Sequence, residues 1–218
     1  MADTSHELKT PLAVLQAQIE AMQDGIRKPT PEHFGSMLRQ VTSLKKLTQD
    51  LADLAQAEAM QLKCYLTDVH PWLLIEQELE NFKPKFDRAD LTIRAQGEDT
   101  ELQLDSDRFK QVIVNLLGNS IRYTEAGGTV HVHTEQTDTY WTLYVDDSPL
   151  GLTNEQLANL GQRFYRVDDS RTRATGGTGL GLALSIKITE ALGGQLTFDH
   201  SPLGGLRCKL TFPKQIKH

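Results

Sequence analysis

Asp107-Arg108-Phe109-Lys110-Gln111-Val112-Ile113-Val114-Asn115-Leu116-Leu117-Gly118-Asn119-Ser120-Ile121-Arg122-Tyr123-Thr124 carries two patterns at once. Phe109, Val112, Ile113, Leu116 and Leu117 recur at helical spacing and form one apolar stripe. Asn115, Asn119 and Arg122 fall together on another face. Amide oxygens can complete an octahedral Mg²⁺ shell that phosphates and water mostly fill, and a guanidinium can neutralise phosphate charge. The stretch predicts a helix from Ser106 to Tyr123, core on one side and candidate site on the other. A solvated polar helix face has the same look, so the flanking segments must decide.

Downstream, Trp141, Leu143 and Val145 alternate with polar residues, and the same parity carries on to Asp147. A carboxylate on an inward parity is costly without a partner, and an adenine amino group is one such partner. Ser148-Pro149-Leu150-Gly151 then reads as a turn that lets backbone approach a ligand at Gly151. Gly176-Gly177-Thr178-Gly179-Leu180-Gly181 precedes an apolar helix, where free N–H groups and the positive helix end suit phosphates. No Gly-Lys-Ser/Thr follows, which excludes a Walker motif. Between these, from Leu152 to Gly177, lies a long segment with a capping box at Thr153 and Gln156 and then Arg163-Phe164-Tyr165-Arg166; its length, aromatics and arginines suit a lid over a nucleotide.

Val130 and Val132, and Leu206, Cys208, Leu210 and Phe212, mark further half-buried strands. Additional helices are expected at Pro71 to Phe82, Asn154 to Leu160 and Leu182 to Leu192. Residues 66–218 therefore read as an α/β sandwich, one sheet covered by helices on a single face.

Upstream, Leu8, Leu12, Leu15, Ile19, Met22 and Ile26 step by four and three, a heptad seam. Lys28-Pro29-Thr30-Pro31 is expected to break the helix, and a second one carries Phe34, Met37, Val41, Leu44, Leu47, Leu51 and Leu54 down to about Leu62. Two helices make a poor core, so residues 1–65 are expected to pair with a second copy as a four-helix bundle. His6 and Thr10 lie off the seam on one exposed face, with Glu7 beside them. An exposed imidazole with a carboxylate to take its proton is a competent phosphoryl acceptor.

Bulk properties narrow the field. The 218 residues carry a formal net charge of −6, which argues against a nucleic-acid surface. The two cysteines, Cys64 and Cys208, have no metal-site or disulfide-framework spacing and suit a reducing compartment. No stretch approaches the roughly 18 apolar residues that span a bilayer.

In order, Ser5-His6-Glu7-Leu8-Lys9-Thr10-Pro11, Asn115 to Asn119, Asp147 to Gly151, Arg163 to Arg166 and Gly177 to Gly181 resemble the H, N, G1, F and G2 boxes of sensor histidine kinases. The likeness spans essentially the whole chain and is strongest to the envelope-stress type. It implies a dimerisation and phosphotransfer hairpin over 1–65, followed by a Bergerat-type (GHKL) ATP-binding domain over 66–218. It also implies that His6 is the phosphoacceptor, Glu7 its acid–base neighbour, and Thr10 a water-positioning residue for the reverse phosphatase reaction. Asn119, with Asn115, would hold Mg²⁺. Arg122 and Tyr123 would flank phosphates and base, and Asp147 would bind the adenine amino group.

Phe164, Tyr165 and Arg166 would form the lid. Gly177, Thr178, Gly179, Leu180 and Gly181 would shape its hinge and the phosphate cradle. The implied partners are a second copy and a response-regulator receiver domain. The implied location is the cytoplasmic side of a bacterial inner membrane, with the anchoring and signal-carrying segments lying outside this chain. One position departs from the pattern, because Pro149 stands where the G1 box usually has its first glycine. Motion between the two parts is expected to pivot near Leu62 to Pro71, across a small polar interface. The rival readings are a chaperone- or topoisomerase-like ATPase on the same fold, and a dimeric scaffold with a dead ATP site.

Overall fold

In the computed structural model, residues 2–167 and 178–214 are described, with side chains from Leu8 onward. Two long helices come first, α1 (Ala2–Gln23) and α2 (Pro31–Glu58). Helix α1 stops earlier than the prolines suggest. It ends at a turn through Gly25, where the Arg27 N–H donates to Ala21 O at 2.8 Å, so Ile26 lies beyond the helix and is 80 % exposed. The prolines act on the second helix instead. Thr30 is its N-cap, with Oγ1 accepting from His33 N, and Pro31 occupies the first turn, where a missing N–H costs nothing. Helix α2 closes at Glu58 rather than near Leu62. Pro11 sits inside α1, where it has no N–H to give the carbonyl four residues earlier.

The remaining elements are β1 (Thr67–Val69), α3 (Pro71–Arg88), β2 (Thr92–Gln96), β3 (Leu102–Leu104), α4 (Ser106–Tyr123), β4 (Thr129–Gln136), β5 (Tyr140–Asp147), α5 (Asn154–Asn159), α6 (Gly181–Ala191), β6 (Gln195–His200) and β7 (Leu206–Pro213). Five strands form one sheet in the order β2-β4-β5-β7-β6, antiparallel except for the β2–β4 pair, while β1 and β3 pair in a small second sheet. Helix α4 lies in the middle, between α3 and α6. Its stripe is almost wholly buried, and Phe109 meets the Trp141 and Phe212 rings at 6.3 and 6.0 Å between centroids. This is the expected single covered face. The short strands β1, β2, β3 and β6 carry no strong alternation and were not legible in sequence.

The start of α4 is fixed by one carboxylate. Asp105 Oδ1 accepts from Asp107 N and Arg108 N at 3.1 and 3.0 Å, and Oδ2 accepts from Tyr65 N at 2.8 Å. Burial raises this carboxyl's pKa, but these N–H groups outweigh it and hold it below the ordinary range. Tyr65 is thereby tied to the sandwich and residues 67–69 are in a strand, so the connection narrows to about Ala59–Cys64, of which Leu62 and Cys64 pack against the core.

Helix α2 rests on the sandwich through more than a small polar contact. Leu47 and Leu54 are buried, each contributing about 2 kcal/mol on burial. Asp53 is also buried. It accepts from Arg108 Nη1 and Gln111 Nε2 of α4, both at 3.1 Å, and from Gln49 Nε2 within α2 at 3.1 Å. Arg163 and Glu58 form a second ion pair across the same boundary. Removing one partner of a buried ion pair leaves the other desolvated and unpaired. Arg108→Met is therefore expected to weaken the docking of α2 by about 3 kcal/mol. Hydrogen exchange should show residues 43–58 opening faster while β4 and β5 keep their protection.

Candidate active site

The polar face of α4 lines a cavity of about 700 Å³. Asn115, Asn119, Arg122 and Tyr123 all stand on its wall, because a helix that buries Phe109, Val112, Leu116 and Leu117 has only this side left for them. Asn115 has a structural duty as well. Its Nδ2 donates to Gly181 O and Ser185 Oγ, both at 3.3 Å, tying α4 to the first turn of α6 and leaving Oδ1 to face a cation.

Asp147 closes the inward parity of β5 and is 7 % exposed. Its Oδ1 accepts from Leu206 N at 2.7 Å. Burial pushes its pKa up to about 7, the Leu206 N–H opposes the rise, and neighbouring Asp146 adds to it. The turn after β6 presses on this carboxylate. A Cβ on Gly205 would stand 2.2 Å from Asp147 Oδ1, so only glycine fits there. The 148–151 turn packs on the same place, with a Cβ on Gly151 2.8 Å from Gly204 O. Leu150 and Gly151 reach the cavity, and Pro149 does not line it.

Tyr165, Arg166, Thr178, Gly179 and Gly181 complete the wall. Gly179 has φ +68° and its α-carbon side abuts Phe164, where a Cβ would meet Cα at 2.7 Å. The Phe164 N–H donates to Gly179 O at 3.1 Å. Two residues expected on the nucleotide lie off the wall. Leu180 is fully buried in the core, and Phe164 packs against that core, because apolar side chains flanking the glycines take the dry side. Gly177 lies outside the described residues. His6 and Glu7 belong to α1, with side chains outside the described ones, and Thr10 is exposed.

Two observations say what the cavity suits. Arg166 Nε and Nη2 are buried at the cavity without a hydrogen-bond partner among the described residues, a costly arrangement that an anion would relieve. Asp147, also on the wall, is a buried acceptor suited to an amino group. An adenine nucleotide carries both complements, and the oxygens of Asn115 and Asn119 fit the hard magnesium ion that accompanies its phosphates.

Sequence reading missed the contribution of α2. Lys46 and Asp50 lie on the cavity wall, with Lys46 Nζ 3.1 and 2.9 Å from the two oxygens of a 3 % exposed Asp50. Lys85 and Cys208 were missed too. No local pattern marks a residue that reaches a site through a long-range helix contact.

Residues 104–216 match the histidine kinase-, DNA gyrase B- and HSP90-like ATPase family, and residues 1–59 match the His Kinase A (phospho-acceptor) domain. The chain belongs to the histidine kinases. Among curated relatives of this kinase, the signal transduction histidine-protein kinase BaeS of Escherichia coli strain K12 is 41 % identical over 98 % of the chain. The chain spans 46 % of that relative's length. Among solved structures, histidine kinase AdeS of Acinetobacter baumannii superposes with a TM-score of 0.81 at 29 % identity, covering 98 % of each chain. Histidine kinase ThkA, solved in complex with response regulator protein TrrA, shares the fold with a TM-score of 0.77 at 21 % identity, covering 98 % of this chain and 60 % of that one.

The raised Asp147 pKa has a stability consequence in this kinase. The native state keeps a proton that the unfolded chain releases near pH 3.8, so this stabilisation is full below that value and is lost as pH rises through about 7. Asp147→Asn keeps an acceptor for Leu206 N and removes the titration. Relative to the parent, the variant should gain about 4 kcal/mol between pH 4 and pH 8, read from denaturant unfolding without nucleotide.

Proposed function

We propose that this chain is an ATP-dependent histidine autokinase of a two-component system, transferring the γ-phosphoryl group to His6 and then to an aspartate of a response-regulator receiver domain. The observation that carries the reading is the cavity in which Asp147, Arg166 and the asparagine face of α4 converge, walled partly by the helix that pairs with the His6 helix. We divide the chain at 1–65 and 66–218 for these roles. Magnesium, when bound, would neutralise the phosphates, and Asn119 with the Oδ1 of Asn115 would hold it.

Helix geometry favours the proximity of acceptor and cavity. Residue 6 lies seventeen residues before the end of α1, and the residue seventeen past the start of the antiparallel α2 is Thr48. With equal rise in both helices, the backbone at residue 6 is level with roughly the Lys46–Asp50 turn, which lines the cavity. Arg122 and Arg166 would hold the phosphates, Asp147 would orient the base, and Glu7 would take the imidazole proton as the His6 lone pair attacks. Thr10 would position water when the phosphatase direction runs. The ion pairs Asp53–Arg108 and Glu58–Arg163 would have to loosen for the sandwich to reposition about the 59–64 connection.

Pairing through residues 1–65 is supported by apolar surface that a single hairpin leaves open. Leu12, Ile19, Phe34, Leu38 and Val41 are all at least 40 % exposed. The receiver partner rests on the complex known for ThkA. Among the described residues no helix is long and apolar enough to cross a membrane, and a cytoplasmic position beside a bacterial inner membrane is part of the proposal.

Radiolabel from [γ-³²P]ATP should enter the chain as an alkali-stable, acid-labile adduct and disappear in His6→Gln. Asn119→Ala should lose the label while folding normally. Mixing the two variants should restore label on the Asn119→Ala protomer through dimer exchange if phosphorylation crosses between copies. Undiminished labelling of His6→Gln would overturn the proposal.

A further inference from the structure

The outer face of the sheet, turned away from α4 and the nucleotide cavity, carries a cluster that the kinase reaction does not use. On β4, Val130 and Val132 face the core, which sends His131 and His133 to the outside. On β5 the same alternation sends Tyr144 and Asp146 out. The antiparallel register sets His131 directly opposite Asp146, and His133 opposite Tyr144. The two imidazoles stack at 4.6 Å between centroids, and the ligating atoms of His131, His133 and Asp146 all lie within 4.8 Å of one another.

A salt bridge accounts for part of this. Asp146 is fully buried and receives Arg207 Nε and Nη2 at 2.7 and 2.8 Å. It does not account for His133, whose Nδ1 is buried, has no hydrogen-bond partner among the described residues, and stands 3.7 Å from Asp146 Oδ2, too far for a hydrogen bond. Each oxygen of Asp146 keeps a second lone pair beside the one given to Arg207. Burial is the largest influence on the His133 ring and lowers its pKa, His131 acts the same way, and Asp146 opposes them. The neutral ring with a free lone pair is thereby favoured.

We propose that His131, His133 and Asp146 form a site for a divalent transition-metal ion of the zinc class. Two imidazoles and one carboxylate are the donor set of open zinc sites, which keep a fourth position for water. Zinc distances near 2.1 Å place ligand atoms about 3.4 Å apart, so the three side chains draw together by rotamer adjustment, with no change in the strand register. Glu135 adds favourable negative charge nearby, whereas the Arg207 guanidinium beside Asp146 opposes the ion. The site is therefore weaker than a closed structural zinc centre and selects for ions that prefer imidazole over hard oxygen donors. Magnesium, which prefers oxygen ligands, belongs to the other face of the sheet.

The test is titration of the metal-free whole chain with ZnCl₂ in the absence of nucleotide, followed calorimetrically, with His131→Ala and His133→Phe in parallel. One zinc ion per chain is expected, with affinity falling at least about tenfold in each variant. In the parent chain, the ring-nitrogen NMR signals of His131 and His133 should shift together as zinc is added, which needs no variant to fold. No binding, binding that survives both substitutions, or shifts confined to other histidines would overturn the site.

Discussion

Everything in the catalytic half of the molecule depends on how α4 is oriented about its own axis. Five apolar side chains on one stripe drive that face against Trp141, Phe212 and the helices on either side, and the rotation this imposes leaves no choice about where Asn115, Asn119 and Arg122 point. Asp105 sets the axial position by capping the first turn and holding Tyr65 with the same carboxylate. Core burial therefore acts as the device that aims the site.

The sheet uses alternation in the same way, and to two ends. On β5, Asp146 and Asp147 are neighbours in sequence but face opposite sides, with different fates. Asp147 meets a backbone N–H and the wall of the cavity, and burial keeps a proton on it close to neutral pH. Asp146 meets a guanidinium that donates one hydrogen bond to each of its oxygens. The adjacent residues Leu206 and Arg207 of β7 supply these two partners, so one strand pairing positions both carboxylates.

The hairpin is tied to the sandwich by contacts of opposite character. Leu47 and Leu54 bring non-directional burial, which tolerates sliding, while Asp53 with Arg108 and Gln111 fixes a register. Such a boundary is discrete rather than loose. It is also more apolar than the charged sequence of α2 suggests, because only two leucines at the right turns are needed.

Local patterns made much of this legible. The α4 stripe, the parity of β5, the capping box at Thr153 and Gln156, and the glycines before α6 each follow from near-neighbour stereochemistry, and the order of the boxes identified the kinase family. Tertiary structure alone decided the rest. Lys46 and Asp50 reach the cavity only because α2 docks where it does, Gly205 must be glycine because the Asp147 carboxylate fills the space a Cβ would need, and His131 meets Asp146 only through the register of β4 and β5. Periodicity determines which way a side chain faces within its own element. Which side chains then meet is set by burial and hydrogen bonding between elements far apart in the chain, a choice that no local spacing encodes.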